Sequence, residues 1–209
     1  MSLNRIKKKV IGIFGGAFNP PHSGHRKLIE RLINCRQYRN ILVIPSFIPP
    51  HKKILYYVEP HHRLNMLKIM FSNNQKIIIS DIEILKHDVS YTYNTLLQLQ
   101  KKYRDSKFEI IIGMDNFNIL DEWRNIGELI KSVEFVVFSR NNTALNFQKN
   151  SIPVNYKNYK ERFIFIDDFI QRESSTEIRN LIKEKKLSQA RAFLTPEVYN
   201  YISENHLYE

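Results

Sequence analysis

Two histidines three residues apart, His22 and His25, close the stretch Gly15-Gly16-Ala17-Phe18-Asn19-Pro20-Pro21-His22-Ser23-Gly24-His25. An imidazole donates hydrogen bonds to phosphate oxygens and is readily biased towards the cation beside an anion, so the pair points to phosphate chemistry. The flanking residues suit that chemistry. The apolar run 10–14 has the pattern of a buried strand, breaks at Gly15-Gly16, and cannot continue as sheet interior through Pro20-Pro21. From Ser23 a helical period takes over, with Leu28, Ile29, Leu32 and Ile33 on one face. Strand, glycine turn, loop and helix bring backbone N–H groups and a helix N-terminus to one point, an arrangement that binds phosphate. Gly15 and Gly16 allow close approach of a ligand or a positive φ. The prolines stiffen the loop under His22, and Gly24 leaves room for a phosphate against the backbone. On these residues alone two further roles stay open. A Gly-Gly turn after a strand is common as a structural device. Histidines at this spacing could also ligate zinc, although no Cys pair or His-Glu-x-x-His pattern accompanies them.

Four further groups could do chemistry. His51 and Lys52 follow Pro49-Pro50 in a loop after a second apolar run, 41–45; they are held on a stiff support or are solvated charges of a surface turn. Ser90 and Thr92 open a helix that runs to about residue 103, and either is a natural N-cap. Gly113 and Asp115 end a fourth apolar run, 108–113, and Trp123 follows on a helical pattern, where its generic role is packing. Ser174, Ser175 and Thr176 begin a helix with Arg179 one turn in. Ser174 and Glu177 have the spacing of a capping box; the same helix end with Arg179 as a charged fork suits phosphate. His61 and His62, in the first turn of a helix over 59–71, read as surface residues, and Leu64, Leu67, Ile69, Met70 and Phe71 as that helix's apolar side.

The elements that must position these groups alternate. Strands are expected at 10–14, 41–45, 76–83, 108–113, 134–140 and 163–167, with helices between them and a last capped helix at 195–203, Pro196 at its first position. This predicts an α/β fold, a Rossmann-like doubly wound, mostly parallel sheet of about six strands with helices on both faces. Residues 141–161 carry no clear period and read as an irregular connection. The length of 209 residues suits one domain, 1–209, with the C-terminal helical part from about 174 packed on it. Hydrophobic residues make up 43% and charged residues 25%, the balance of a soluble globular protein, and no apolar run approaches a membrane span. A single cysteine, Cys35, cannot form an internal disulfide, which fits a reducing cytoplasm; it reads as a small buried residue at the end of the first helix. The net charge of +11 is scattered rather than clustered, with no nucleic-acid-binding motif around it, and such a field also gathers polyphosphates.

At G-G-x-F-N-P-P-H-x-G-H the chain resembles the HxGH nucleotidyltransferase superfamily. The flanking G-G-x-F-N-P-P makes it similar to the bacterial nicotinate-nucleotide adenylyltransferases, which join nicotinate mononucleotide to AMP from ATP. Four more motifs of that family follow in order: I-P-x-x-x-P-P-H-K at 44–52, S-Y-T-x-D-T-L at 90–96, I-I-G-x-D-x-x-x-x-L-x-x-W at 111–123 and S-S-T-x-I-R at 174–179. The resemblance implies ATP contacts at Gly15, Gly16, Ala17, Phe18, His22, His25, Gly113, Asp115, Ser174, Ser175, Thr176 and Arg179. It implies mononucleotide contacts at Asn19, His51, Lys52, Thr92 and Trp123, the tryptophan stacking on the nicotinate ring and Thr92 meeting its carboxylate. His22, His25, Lys52 and Arg179 are then the catalytic group, and Mg2+ rides on the phosphates without a carboxylate cage. The partners implied are ATP and nicotinate mononucleotide, with no nucleic acid and no membrane, in a cytoplasmic monomer or homodimer. The chain departs from the family pattern at Asn94, where Asp is usual. It does so again at Arg140-Asn141-Asn142, where Arg-Pro-Gly is common, and at Glu173, where a hydrophobic residue is usual and an acid could weaken an anion site. The alternatives are adenylyltransferases of the superfamily acting on nicotinamide mononucleotide or phosphopantetheine, a nucleic-acid-binding protein on the same scaffold, and a silent nucleotide sensor. A phosphopantetheine enzyme usually has a shorter chain and a T-x-G-H motif, and the presence of His22, His25 and Arg179 together speaks against a silent sensor.

Overall fold

The computed structural model describes residues 9–50, 58–138, 152–166, 169 and 173–209. Apolar residues at strand spacing form β1 (Lys9–Gly16), β2 (Tyr38–Pro45), β3 (Ile77–Ile79), β4 (Ser106–Gly113), β5 (Glu134–Phe138) and β6 (Phe163–Ile166). They make one sheet in the order β3-β2-β1-β4-β5-β6, every pair parallel. Parallel neighbours need a crossover. Those crossovers contain α1 (Ser23–Cys35), α2 (Pro60–Met70), α3 (Thr92–Lys102), α4 (Met114–Asn118) and α5 (Ile126–Ser132), and α6 (Ser175–Lys183), α7 (Leu187–Ala190) and α8 (Pro196–Glu204) follow β6.

Side chains alternate across the sheet and feed two cores. Phe14, Ile41, Val43, Ile111, Val136 and Phe138 pack on one face with Leu28 and Leu32 of α1, Met66 and Leu67 of α2, Ile178 of α6 and Val198 of α8. Ile13, Leu42, Ile44, Ile110, Ile112 and Phe135 pack on the other with Leu96 and Leu99 of α3, Phe117 of α4 and Leu129 of α5. The strand order reverses between β1 and β4. The crevice at the C-terminal ends of those two strands is where ligands of open α/β sheets bind.

Several local expectations are corrected. β1 does not break at the glycines; Gly15 and Gly16 still pair with Ile44 and Pro45, because the ladder is made by backbone groups that glycine also carries. Of the expected strand 76–83 only Ile77–Ile79 forms, at the sheet edge with a single neighbour, and a 3-10 turn at Ile84–Lys86 follows. Within the expected irregular stretch, residues Val154–Arg162 make 3-10 turns with a kink at Tyr159. The N-cap of α3 is Tyr91, neither Ser90 nor Thr92. Ser90 is engaged elsewhere: its Oγ accepts from Phe47 N–H at 2.9 Å and its own N–H donates to the Ile48 carbonyl at 2.9 Å, tying the β2 exit loop to the approach to α3. At α6 the N-cap is Ser174, but no side-chain cap bond forms, and Ser175 Oγ donates to the Pro20 carbonyl at 2.8 Å instead. Cys35 is exposed, lying off the buried stripe of Leu28, Ile29 and Leu32.

The largest correction is on α2. Its buried stripe is Arg63, Met66, Leu67 and Met70, with Leu64 and Ile69 only partly covered. Arg63 is 0% exposed. Its Nη1 donates to the carbonyls of Ala17 and Ser46, each at 2.7 Å, and Nη2 to that of Phe47 at 3.5 Å. One guanidinium thus satisfies the carbonyls that leave the ladder where β1 and β2 end. Another buried charged group, Glu83, accepts from Thr95 Oγ1 at 2.7 Å. Burial pushes its carboxyl above the ordinary glutamate range, partly offset by hydrogen bonds from Thr95 and Ser90 and by the Lys86 charge.

Arg63→Met should cost at least about 3 kcal/mol in a urea denaturation, because it leaves buried carbonyls without a donor; a loss below about 1 kcal/mol would mean that water replaces the guanidinium. For Glu83, the folded state holds the proton more tightly than the unfolded chain. The corresponding stability is fully present below the unfolded-state pKa and is lost as pH rises through the raised, folded-state pKa. Glu83→Gln should flatten that fall in a series of urea midpoints against pH, and an unaltered slope would assign it to other groups.

Candidate nucleotide site

The loop after β1 is held in an unusual shape. Phe18 has φ 48°, while no described glycine has a positive φ, and the Asn19–Pro20 peptide is cis. A left-handed φ is costly for an aromatic residue, and packing maintains it. The Phe18 ring lies 5.5 Å from that of Phe14 and 5.0 Å from that of His25, both edge-on. Gly15 and Gly16 serve by close approach. A Cβ on Gly15 would project into open space, and one on Gly16 would press on the Phe18 ring at 3.2 Å.

His22 is the N-cap of α1, with extended backbone. Its N–H donates to His25 Nδ1 at 3.2 Å, and the two rings stack with centroids 3.7 Å apart. A His25 that accepts at Nδ1 is a neutral imidazole carrying its proton on Nε2. Both histidines are buried, at 2% and 9% exposure, as expected of groups held rather than waving.

Elements distant in sequence grip the loop. Arg179 Nη1 donates to the Asn19 carbonyl at 2.7 Å and its Nη2 to Thr176 Oγ1 at 3.1 Å. Tyr208, near the chain end, donates through its hydroxyl to Asn19 Oδ1 at 3.0 Å, and Val58 N–H reaches the same oxygen at 3.4 Å. Glu173 is buried, and burial opposes its ionisation; the Lys27 ammonium at 2.7 Å and Ser23 Oγ at 3.0 Å outweigh this and hold the carboxyl below its ordinary range. Its charge is therefore matched by Lys27, which offsets the weakening that an acid would bring to an anion site here.

Two cavities open at the strand ends and share Gly15, Gly16, Ala17, Ile111, Ile112 and Asn116. The larger, of about 600 Å³, is lined by Phe18, Asn19, His22, His25, Gly113, Ser174, Ser175, Thr176, Arg179 and Lys183. These are donors and cations around the N-terminal ends of α1 and α6, a setting for phosphate. The smaller is lined by Tyr91, Thr92, Asp115, Trp123 and Arg124, with Pro49 and Pro50 on its rim and Glu83 in its wall. It is aromatic and apolar, and Trp123 Nε1 is buried there with no hydrogen-bond partner among the described residues.

The expected phosphate residues thus come together, with two differences in partition. Asn19 lies in the larger cavity, beside the histidines, and Asp115 in the smaller one, beside Trp123. Asn94 is exposed on α3 and lines neither cavity, so the change from Asp there does not touch the site. His51, Lys52 and Arg140 lie outside the described residues. Sequence reasoning missed Arg63, Tyr91, Asn116, Arg124, Lys183 and Tyr208. For Arg63 a signal existed, since 63, 66, 67 and 70 have the spacing of a buried helical stripe; for Tyr208 none did, because its contact spans 189 residues.

The cytidylyltransferase-like family model matches residues 13–181, a span that includes both histidines and Arg179. A protein of Fusobacterium nucleatum named "probable nicotinate-nucleotide adenylyltransferase" is 38% identical over 177 residues, covering 84% of this chain and 89% of that protein. One of the same name from Bacillus licheniformis is 35% identical over 200 residues, covering 95% and 98%. Among solved structures, nicotinic acid mononucleotide adenylyltransferase of Plasmodium falciparum, complexed with NaAD, superposes with a TM-score of 0.74 over 96% of this chain and 97% of that one. At 23% identity that likeness speaks to the fold. The chain belongs to the cytidylyltransferase-like family, and within it to the family of bacterial nicotinate-nucleotide adenylyltransferases.

Proposed function

We propose that the protein transfers an adenylyl group from ATP to nicotinate mononucleotide, giving nicotinate adenine dinucleotide and pyrophosphate, a step of NAD biosynthesis. The observation that carries this is the pair of cavities that meet at Gly15, Gly16 and Ala17. One half is built of phosphate donors and the other of aromatic and apolar walls, which suits phosphate groups next to a stacked heteroaromatic ring. The names of the relatives point the same way.

In this scheme a 5′-phosphate oxygen of the mononucleotide attacks the α-phosphorus of ATP in line. The new O–P bond forms as the bond to the bridging oxygen of pyrophosphate breaks, with no covalent intermediate on the protein. The nucleophile is already ionised, so alignment and charge stabilisation do the work rather than a general base. His25 offers its Nε2 proton to a phosphate oxygen, and His22 stacks against it in the same cavity. Arg179 contributes positive charge from α6 while one of its nitrogens holds the Asn19 carbonyl. Ser174, Ser175 and Thr176 add hydroxyls at the start of α6, and Lys52 completes the catalytic group. In the smaller cavity Trp123 stacks on the pyridine and Thr92 faces its carboxylate; His51, which lies outside the described residues, is assigned to the mononucleotide by the family resemblance. Gly113 and Asp115 flank the adenosine.

Nucleotidyl transfer of this family implies a divalent cation, here Mg2+. Among the described residues no cluster of three or more His, Cys, Asp or Glu could hold one. The donors around the larger cavity are imidazole, hydroxyl, guanidinium and ammonium groups, which suit phosphate rather than the carboxylate-and-water shell of Mg2+. The ion fits as one carried by phosphate oxygens and water, where it neutralises the triphosphate. The scheme takes 1–209 as one nucleotidyltransferase unit with its C-terminal helical part packed on it. It places a monomer or homodimer in the cytoplasm, with no nucleic-acid or membrane partner. Among the described residues no helix is long and apolar enough to cross a membrane.

Pyrophosphate release from ATP and Mg2+ should be strong with nicotinate mononucleotide and weak with nicotinamide mononucleotide; equal release would overturn the substrate assignment, and none with either would overturn the reaction. His25→Ala should lower turnover at least about tenfold in a protein with unaltered circular dichroism, and an unchanged kcat would remove His25 from the mechanism. Trp123→Ala should raise KM for the mononucleotide about tenfold while leaving KM for ATP nearly unchanged, as loss of one stacking partner requires.

A further inference from the structure

Of the described residues that line the smaller cavity, Arg124 is the only lysine or arginine. It follows Trp123 directly, and its guanidinium carbon sits 4.9 Å from the centroid of the Tyr91 ring. Among the described residues it makes this stacking contact and no ion pair. Tyr91 is in turn the N-cap of α3, next to Thr92, so Arg124, Tyr91, Thr92 and Trp123 form one end of the cavity. The acids of the same cavity do not neutralise Arg124. Asp115 is exposed, where solvent screens its charge, and Glu83 is buried against Thr95 with burial favouring its neutral form.

A guanidinium stacked on an aromatic ring keeps its N–H edge available, and that planar fork matches the two oxygens of a carboxylate. A carboxamide presents one acceptor and one NH2 group to the same fork, and the NH2 meets N–H donors unfavourably. We propose that Arg124 is a specificity-determining residue that reads the ring carboxylate of the mononucleotide and so sets preference for the acid over the amide. This rests on the assignment of a pyridine mononucleotide to the smaller cavity. It adds a side-chain cation to a subsite for which the sequence motifs name Trp123 and Thr92.

The test is steady-state pyrophosphate release by the full chain and by Arg124→Gln and Arg124→Lys, each with nicotinate and with nicotinamide mononucleotide. Arg124 is exposed, so the variants should keep the melting temperature of the unaltered protein. For Arg124→Gln, kcat/KM for the acid should fall about tenfold, through KM, while the value for the amide stays within about twofold. Arg124→Lys should recover part of the loss, since it keeps the charge and loses the fork. Raising the salt concentration should narrow the acid-over-amide ratio of the unaltered protein more than that of Arg124→Gln. An equal fall for both substrates would overturn the inference by placing Arg124 on the phosphate or ribose, and an unchanged ratio would overturn it outright. In both of those cases the unaltered protein is active and the function proposed above stands. Release with neither substrate by the unaltered protein would overturn that function and this inference with it.

Discussion

The buried guanidinium of Arg63 is the constraint on which the site depends. Where β1 and β2 leave the sheet, their last carbonyls turn away from the ladder and would be stranded in the interior. Arg63 takes the carbonyls of Ala17 and Ser46 together at 2.7 Å. A cation without exposure to water is tolerated because backbone dipoles surround it. The consequence reaches the chemistry. Ala17 belongs to both cavities and Ser46 to the smaller one, so one side chain on α2 ties together the two strand-end segments that line the cleft.

Around that clamp, the loop that carries His22 is held by parts of the chain made much later. Arg179 and Ser175 reach it from α6, and Tyr208 from beyond α8. A loop with Phe18 at positive φ needs such support. The arrangement also explains why α6 follows the sheet rather than closing it. Its N-terminal end faces the larger cavity, and its buried face, Ile178 and Ile182, joins the core under α1 and α8. Stability and site geometry therefore share the same contacts.

The two halves differ in electrostatics for reasons visible in their linings. The larger cavity gathers neutral and cationic donors at two helix starts, and Glu173, which precedes its Ser174, is matched by Lys27. Among the described residues the smaller cavity is walled mainly by aromatic and aliphatic groups, with Arg124 as a cation. The net charge of +11 adds a long-range attraction for anionic substrates, screened at physiological salt.

Much of this was legible in the residues alone. Strand runs, glycine turns and helix starts recur at the right spacing, so the parallel α/β sheet follows from local pattern, whereas the gathering of His22, His25, Ser174, Ser175, Thr176 and Arg179 at the C-terminal ends of its central strands is implied by the family resemblance. Chain order and strand chirality then leave few topologies. Local pattern failed where a choice between partners is made in three dimensions. Ser90 and Ser174 have the chemistry of caps, but one hydroxyl accepts from Phe47 and the other forms no cap bond. Cys35 is apolar by type yet falls off the buried stripe. The burial of Arg63, the grip of Tyr208 on Asn19, and the meeting of Arg124 with Tyr91 join residues far apart in the chain or hidden by their type. Periodicity reports which face of an element is apolar, because that depends on neighbours three or four residues away. Only the assembled fold decides which polar group meets which, because that depends on distances the chain does not encode locally.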